Sequence, residues 1–290
     1  MLNLLHVRTF LAVIDANGVR PAAKSLDLSP STVVEHMRQL EEHLAAPLLH
    51  RRSGAALPTA QGSLFLPYAR ALVSTATLAR ELVHRPRLRI AAASNVGIYL
   101  LPAPIADFRR KFGIDVEVWI GPNPQVAMRV ELGQADVAAM EWWDNRPGLI
   151  GKTWLREPLV VIVPPGHRLA RLETVTLDDL SGEVLLGGEP GSGTGRVLRE
   201  QLGPAADRLT IVPGFGSTEA VKRAVRAGLG ISIVLKAAVA DEVASERLSA
   251  LPFKGATLSK DIKLISAPHH GEASPVARFL ASCGTATEQT

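Results

Sequence analysis

At 290 residues the chain is long enough for two or three domains, each burying its own core. Its 47% hydrophobic, 21% charged and 4% aromatic residues are those of a globular protein and exclude disordered and fibrous classes. The net charge of +4 is unevenly spread: residues 1–88 hold 10 Lys/Arg against 6 Asp/Glu, whereas the remainder holds 22 of each.

The opening segment MLNLLHVRTFLAVIDANG is apolar, but His6, Arg8 and Asp15 interrupt it and no basic stretch precedes it. It reads as an amphipathic helix rather than an export signal. Leu4, Val7, Phe10, Leu11 and Ile14 recur at helical spacing, and Asn17-Gly18 supplies a left-handed stop. Pro21 suits the first turn of a short helix ending near Leu26. A third helix opens with Ser29 as N-cap and Pro30 at its first position, and its core stripe is Val33, Met37, Leu40 and Leu44. The opposite face carries Ser31, Thr32, Val34, Glu35 and Arg38. Short groups there let a backbone approach a duplex and long polar ones reach base edges, although any bundle helix has a polar face.

From Leu48 to Thr59 two apolar flanks enclose a basic, glycine-containing tip, the pattern of a two-stranded wing, which places Arg51 and Arg52 against phosphates. Thr59 then caps a helix running to about Val83, whose roughly 23 residues would span roughly 35 Å. Apolar on one face and outside either core, this helix reads as a seam between two copies of the chain.

This stretch resembles the LysR-type transcriptional regulators. The family's pattern of a Ser, a short polar run, a Leu-Glu pair and a basic wing ending in Thr-x-x-Gly is matched by Ser29, Leu40-Glu41, Leu44, Pro47-Leu48, Arg51, Thr59 and Gly62, with Ala22-Ala23 and Leu26 before them. The resemblance implies an all-α winged helix-turn-helix over 1–59, a linker and dimerisation helix over 60–87 and an effector-binding domain over 88–290. It implies a homodimer or homotetramer on double-stranded promoter DNA, with RNA polymerase as a further partner. The DNA-contacting set is then Ser29, Ser31, Thr32, Val34, Glu35, Arg38, Arg51 and Arg52. The chain departs from the family at Leu49, where Phe is common, and at Val34 and Glu35, where Ser and Arg are common. These last two changes alter base preference, so the operator does not carry over.

From Leu88 onward LRIAAA, IDVEVWI, DVAAM, LVVIVP, EVLLGG, RLTIVP, GISIVL and IKLISA read as strands. Between most of them lie helical segments such as VGIYLLPAPIADFRRKF, TGRVLREQL and STEAVKRAVRAG. This alternation argues for parallel sheets in an α/β fold. LVVIVP and IKLISA are suited to carry the chain between two sheets, and the resemblance implies a two-lobed domain like the periplasmic solute-binding proteins, with lobe I at 88–160 and 266–290 and lobe II at 161–265.

Three segments point into such a cleft, each at a strand-to-helix switch: Ser94-Asn95, Gly191-Ser192-Gly193-Thr194, and Ser217-Thr218. Free N–H groups and a partial positive charge at helix N-termini suit an anionic small-molecule effector, and plain N-capping explains the same hydroxyls. Gly195 stands where the family leads one to expect a basic residue. Glu141-Trp142-Trp143-Asp144 reads equally as a cleft wall or as a loop over an edge, and His269-His270 as a surface pair. No nucleophile elbow, zinc-protease or P-loop motif occurs, so neither catalysis nor a cofactor is expected. The single cysteine, Cys283, has no partner for an internal disulfide, which fits the cytoplasm. No apolar run is long enough to span a membrane.

Overall fold

The structure is a computed structural model that describes residues 2–50, 56–84, 86–189, 191–268 and 270–284. Contacts divide the chain into two compact units, Met1–Arg87 with Met128–Asp136, and Leu88–Ala127 with Val137–Thr290.

In the first unit α1 (Leu4–Asp15), α2 (Val19–Leu26) and α3 (Pro30–Leu44) fold on the stripes read above. Asn17, at φ 51°, makes the left-handed stop after α1. Ser29 caps α3 by accepting from the Thr32 N–H at 3.0 Å, with Pro30 as the first helical residue. Val7, Phe10, Met37, Leu40, Leu48 and Ala69 form one buried cluster; Val13, Ala22, Ala23 and Val33 form another.

The wing flanks pair as expected, through an antiparallel bridge between Leu49 and Pro58 and a 2.9 Å bond from His50 N to Leu57 O. Its tip, with Arg51 and Arg52, lies outside the described residues. The Leu-Glu and Thr-x-x-Gly patterns acquire a physical cause here. The Glu41 carboxylate accepts from the N–H groups of Leu48 and Leu49 at 2.7 and 3.2 Å. Thr59 caps α4 (Ala60–His84), accepting from Gly62 N at 2.9 Å and donating to Pro47 O at 2.6 Å. Gly62 lies so close to the loop that a Cβ would stand 2.1 Å from Leu48 O. Along α4, Leu64 and Tyr68 are 73% and 70% exposed, with Leu72 continuing the same face.

The second unit begins with β1 (Arg87–Ala93, from Leu88 on), α5 (Pro102–Phe112), β2 (Asp115–Gly121), α6 (Asn123–Glu131, up to Ala127) and β3 (Val137–Met140). It continues through β4 (Ile150–Val163), β5 (Val184–Leu186), α7 (Gly193–Leu202), β6 (Thr210–Val212), α8 (Thr218–Arg226) and β7 (Ser232–Leu235). It closes with α9 (Ala240–Ala244), β8 (Ser249–Pro252), β9 (Ser259–Ser266) and α10 (Pro275–Cys283). The strands run in the order β2-β1-β3-β9-β4-β7, with β8 also on β4.

The sheet is mixed rather than parallel. β1 pairs parallel to β3, but β9 is antiparallel to β3 and β4, and β7 and β8 are antiparallel to β4; β5 and β6 pair parallel in a separate two-stranded sheet. The reason is the passage between lobes: two strands that carry the chain out and back run in opposite directions and pair antiparallel. β4 has 14 residues; Ile150 to Pro158 pair with β9, and Leu159 to Val163 pair with β7 and β8. All of β9 pairs within lobe I, on β3 and the first part of β4, so the return passage falls at Leu258–Ser259 rather than at 265–266. The two passages touch, with Leu159 N donating to Leu258 O at 2.8 Å.

Lobe II packs on Val161, Leu169, Leu185, Leu198, Ile233 and Leu251, all buried. In lobe I, Phe108 of α5 meets Phe279 of α10 edge to face at 5.4 Å, which returns the C-terminal helix to the first sheet.

Candidate effector cleft and recognition helix

On α3, Ser31, Val34 and Arg38 are exposed and Thr32 and Glu35 partly so, while Val33, Met37 and Leu40 face the core. The polar groups are coupled to one another. The hydroxyls of Ser31 and Thr32 lie 2.7 and 2.8 Å from the Ser29 hydroxyl. Arg38 grips Glu35 with two bonds, Nε to Oε2 at 2.9 Å and Nη2 to Oε1 at 2.6 Å, and also pairs with Glu42. Gln39 adds a 2.6 Å bond to Glu35. Hydrogen bonds from Arg38 and Gln39 hold the Glu35 carboxyl down to about 2, and the Arg38 guanidinium is raised in turn. The carboxylate at position 35 therefore sits in a surface network that also claims Arg38, the longest side chain of this exposed face. Behind it the His36 ring stacks on His6 at 4.6 Å and meets the Thr9 hydroxyl at 3.0 Å.

In the second unit the three strand-to-helix switches line one cavity of about 260 Å³. Ser94 and Asn95 enter it from the end of β1, where the chain turns into a π-helical turn, Val96–Leu100. Ser192, Gly193 and Thr194 enter from the start of α7, and Ser217 and Thr218 from the start of α8. Gly191 does not line it; it sits exposed in the loop at φ 93°.

The hydroxyls divide by role. Ser192 and Ser217 are N-caps, accepting from Gly195 N at 2.9 Å and Ala220 N at 3.2 Å, and each keeps a proton to donate. Thr218 donates to Asn95 Oδ1 at 2.7 Å, joining lobe II to lobe I. Those of Ser94 and Thr194 have no protein partner among the described residues. Gly195 is buried, and a Cβ there would lie 2.1 Å from the Glu189 carbonyl oxygen, which explains why no basic side chain occupies the position.

Two charged residues that sequence reasoning passed over, or left undecided, dominate the floor. Lys260 is 2% exposed and its ammonium lies 2.5 Å from Glu141 Oε2, itself on a side chain only 11% exposed. Asn95 Nδ2 donates to the other Glu141 oxygen at 2.9 Å. The backbone at Glu141 and Trp142 is clamped by Asn123, whose amide bonds Glu141 N and Trp142 O, each at 3.2 Å. Trp142 carries the Arg196 guanidinium over its ring at 4.4 Å, a wall contact to the other lobe. Glu189 adds a second carboxylate to the lining.

A third cross-lobe contact joins the Tyr99 hydroxyl to Glu219 Oε1 at 2.7 Å. Burial and that carboxylate push the Tyr99 phenol well above its ordinary range. Below it the Lys222 ammonium, on a side chain 5% exposed, bonds Ala238 O at 2.8 Å and pairs with Glu219 and Glu242 at 2.5 and 3.0 Å. Among the described residues no group of three His, Cys, Asp or Glu is placed to hold a metal ion, and no helix is long and apolar enough to cross a membrane.

Residues 4–63 match the model of the bacterial regulatory helix-turn-helix protein, lysR family, and residues 83–288 match the LysR substrate binding domain. The chain is 37% identical to PtxE of Stutzerimonas stutzeri over 196 residues, 67% of this chain and all of that protein. Full-length OxyR of Pseudomonas aeruginosa superimposes with a TM-score of 0.70 at 20% identity, covering 98% of this chain and 93% of that one. Full-length CbnR in complex with its target DNA gives 0.63 at 22% identity, covering 97% and 99%. The chain belongs to the LysR family of DNA-binding transcription regulators, which are not enzymes, and its second unit is the family's substrate-binding domain.

Proposed function

We propose that this regulator is switched by a small anionic effector held between the two lobes, and that it acts on promoter DNA in the cytoplasm as a homodimer or homotetramer, touching RNA polymerase from the bound site. The observation that carries the effector reading is the cavity onto which three strand-to-helix switches converge, with the hydroxyls of Ser94 and Thr194 unclaimed by any described residue and the first turns of α7 and α8 at its edge. Its volume of about 260 Å³ suits an oxyanion or a short carboxylate rather than a large metabolite.

In this reading α3 enters the major groove, with Ser29, Ser31, Thr32, Val34, Glu35 and Arg38 at the DNA and Arg51 and Arg52 of the wing on phosphates. The exposed Leu64, Tyr68 and Leu72 of α4 supply the face that a second copy covers. The likeness to the CbnR complex with target DNA supports the docking. The effector acts only through a difference in its affinity for the two lobe arrangements, and the contacts Asn95–Thr218 and Tyr99–Glu219 are those whose making and breaking would carry that difference.

Thermal unfolding of the full chain against phosphate, sulfate, phosphonates and short carboxylates tests the reading. A ligand at about a hundred times its dissociation constant adds roughly 2.7 kcal/mol. Ser94→Ala with Thr194→Ala should remove that shift and the reporter response while leaving operator binding intact. Silence across the panel, or an unaltered response in the double variant, would sink the anionic assignment.

A further inference from the structure

The cavity lining poses an electrostatic problem for an anion. Among the described residues its charged side chains are Lys260, Glu141 and Glu189, one cation against two carboxylates, and the cation is already paired. We infer that Glu141 is a resident anion that occupies the effector's place on Lys260 and is displaced from it when the effector binds. The inference rests on the anionic reading above and deepens it.

The surroundings of Glu141 are those of an anion site. One oxygen takes the Asn95 amide, the other takes the buried Lys260 ammonium, and the carboxylate lies against the first residue of α7. A Cβ on Gly193 would stand 2.7 Å from Glu141 Oε2 and 3.1 Å from Lys260 Nζ, so only glycine there lets a carboxylate approach the helix start so closely. An entering oxyanion offers Lys260 the same charge and the same hydrogen bonds. Exchange therefore leaves no buried ammonium uncompensated, whereas removal of either partner alone would.

A destination for the released side chain exists. A second cavity, of about 490 Å³, lies on the other side of the pair and shares Glu141, Trp142, Gly193 and Lys260 with the first. Its further lining includes Arg156, Arg196 and Lys263, with Glu200 and Asp261 as counter-charges. A carboxylate swung from Lys260 moves toward these cations and into the Arg196–Trp142 contact, which itself spans the lobes. Effector charge is thereby converted into a change in a lobe-to-lobe contact, and ligand affinity is set by how well the ligand competes with Glu141.

The test is titration of the full-length protein with sodium sulfate and sodium phosphate at constant ionic strength, comparing wild type with Glu141→Gln. The amide is nearly isosteric but uncharged and leaves Lys260 without its counter-ion. The expected result is at least tenfold tighter oxyanion binding, with an unfolding temperature lower than wild type in chloride and restored by the oxyanion. Glu141→Asp, which keeps the charge and shortens the reach, should tighten binding in the same direction by less, and serves if the Gln variant does not fold. The double variant Glu141→Gln, Lys260→Met should lose the gain. Equal or weaker binding by the single variants, or tight binding retained by the double variant, overturns the inference while leaving the anionic reading intact if wild type binds. No binding by any variant removes both.

Discussion

Replacing Lys222 by methionine keeps the apolar stem of the side chain and deletes the ammonium that the Ala238 carbonyl, Glu219 and Glu242 share. Glu219 is 47% exposed and recovers its loss from water, but Glu242, at 14%, does not. Breaking a buried pair by removing one partner costs about 3 to 5 kcal/mol, most of it for the charge left behind. We expect a loss in that range, measured by urea unfolding of the full chain. Trp119, Trp142, Trp143 and Trp154 are the only four tryptophans and all lie in the second unit, so their fluorescence reports that unit alone. Lys222→Met with Glu242→Gln should recover about half of the loss, because the orphaned carboxylate is gone.

The Glu219 carboxyl is held below its ordinary value, first by its bond from Lys222 and then by that from Tyr99. A depressed carboxyl contributes stability that is present above its unfolded pKa of roughly 4.3 and is lost as pH falls through the folded value. The gap between wild type and Lys222→Met should accordingly narrow under acid. A single-variant loss under about 1 kcal/mol, or a double variant no more stable than the single, would refute the account.

Glu35→Ala should free Arg38 from its bidentate grip and change which operator sequence is selected from a random pool, and an unchanged selection would remove Glu35 from the reading face. Arg51→Ala should weaken binding to all duplexes and lower the salt slope by about 1, read from affinities at several salt concentrations. Glu41→Ala should cost about 1 to 3 kcal/mol by orphaning the Leu48 and Leu49 N–H groups, seen as earlier loss of helical circular dichroism from the first unit. The His6 imidazole is lowered by burial and by His36, partly offset by Glu35. Its neutral form is therefore favoured on folding, and its contribution is held above the unfolded pKa of roughly 6.5 and lost as pH falls through the folded one, which a proton-resonance titration of His6 will show.

The N-terminal elements were legible because their signals are local. Ser29-Pro30 marks a helix start and Asn17-Gly18 a stop whatever surrounds them. The family pattern at Glu41 and Gly62 was recognisable as a pattern, but its cause, a carboxylate bonding two N–H groups and a helix pressed on a carbonyl, needs coordinates. In the second unit the apolar strands read correctly, while the first part of β4, IGKTWLRE, did not, because it pairs antiparallel with charged residues along it. Short β8, ending in Pro252, and α6, opening at Asn123-Pro124, were missed for want of periodicity.

The cavity residues followed from the rule that helix starts bind anions, and Gly191 fell outside because the rule cannot say which loop residue precedes the cap by one too many. Lys260 was missed for a sharper reason. The strand read from sequence, IKLISA, starts at Ile262 and leaves Lys260 out, yet in β9 Lys260 falls in phase with Ile262 and Leu264 on the buried face, where its ammonium is matched by Glu141.

The two strand passages between the lobes also bear on how such regulators diversify. Residues 159–258 leave lobe I and return to it at points joined by a hydrogen bond, so lobe II is a continuous insertion whose ends already meet. Segments with adjoining ends are the ones that transfer between scaffolds without disturbing the host. Grafting this stretch from a relative would exchange the α7 and α8 contributions to the cleft in one recombination while leaving Ser94, Asn95 and Glu141 in place. New effector specificities would then arise by module shuffling, half a binding site at a time, with the DNA-reading unit untouched.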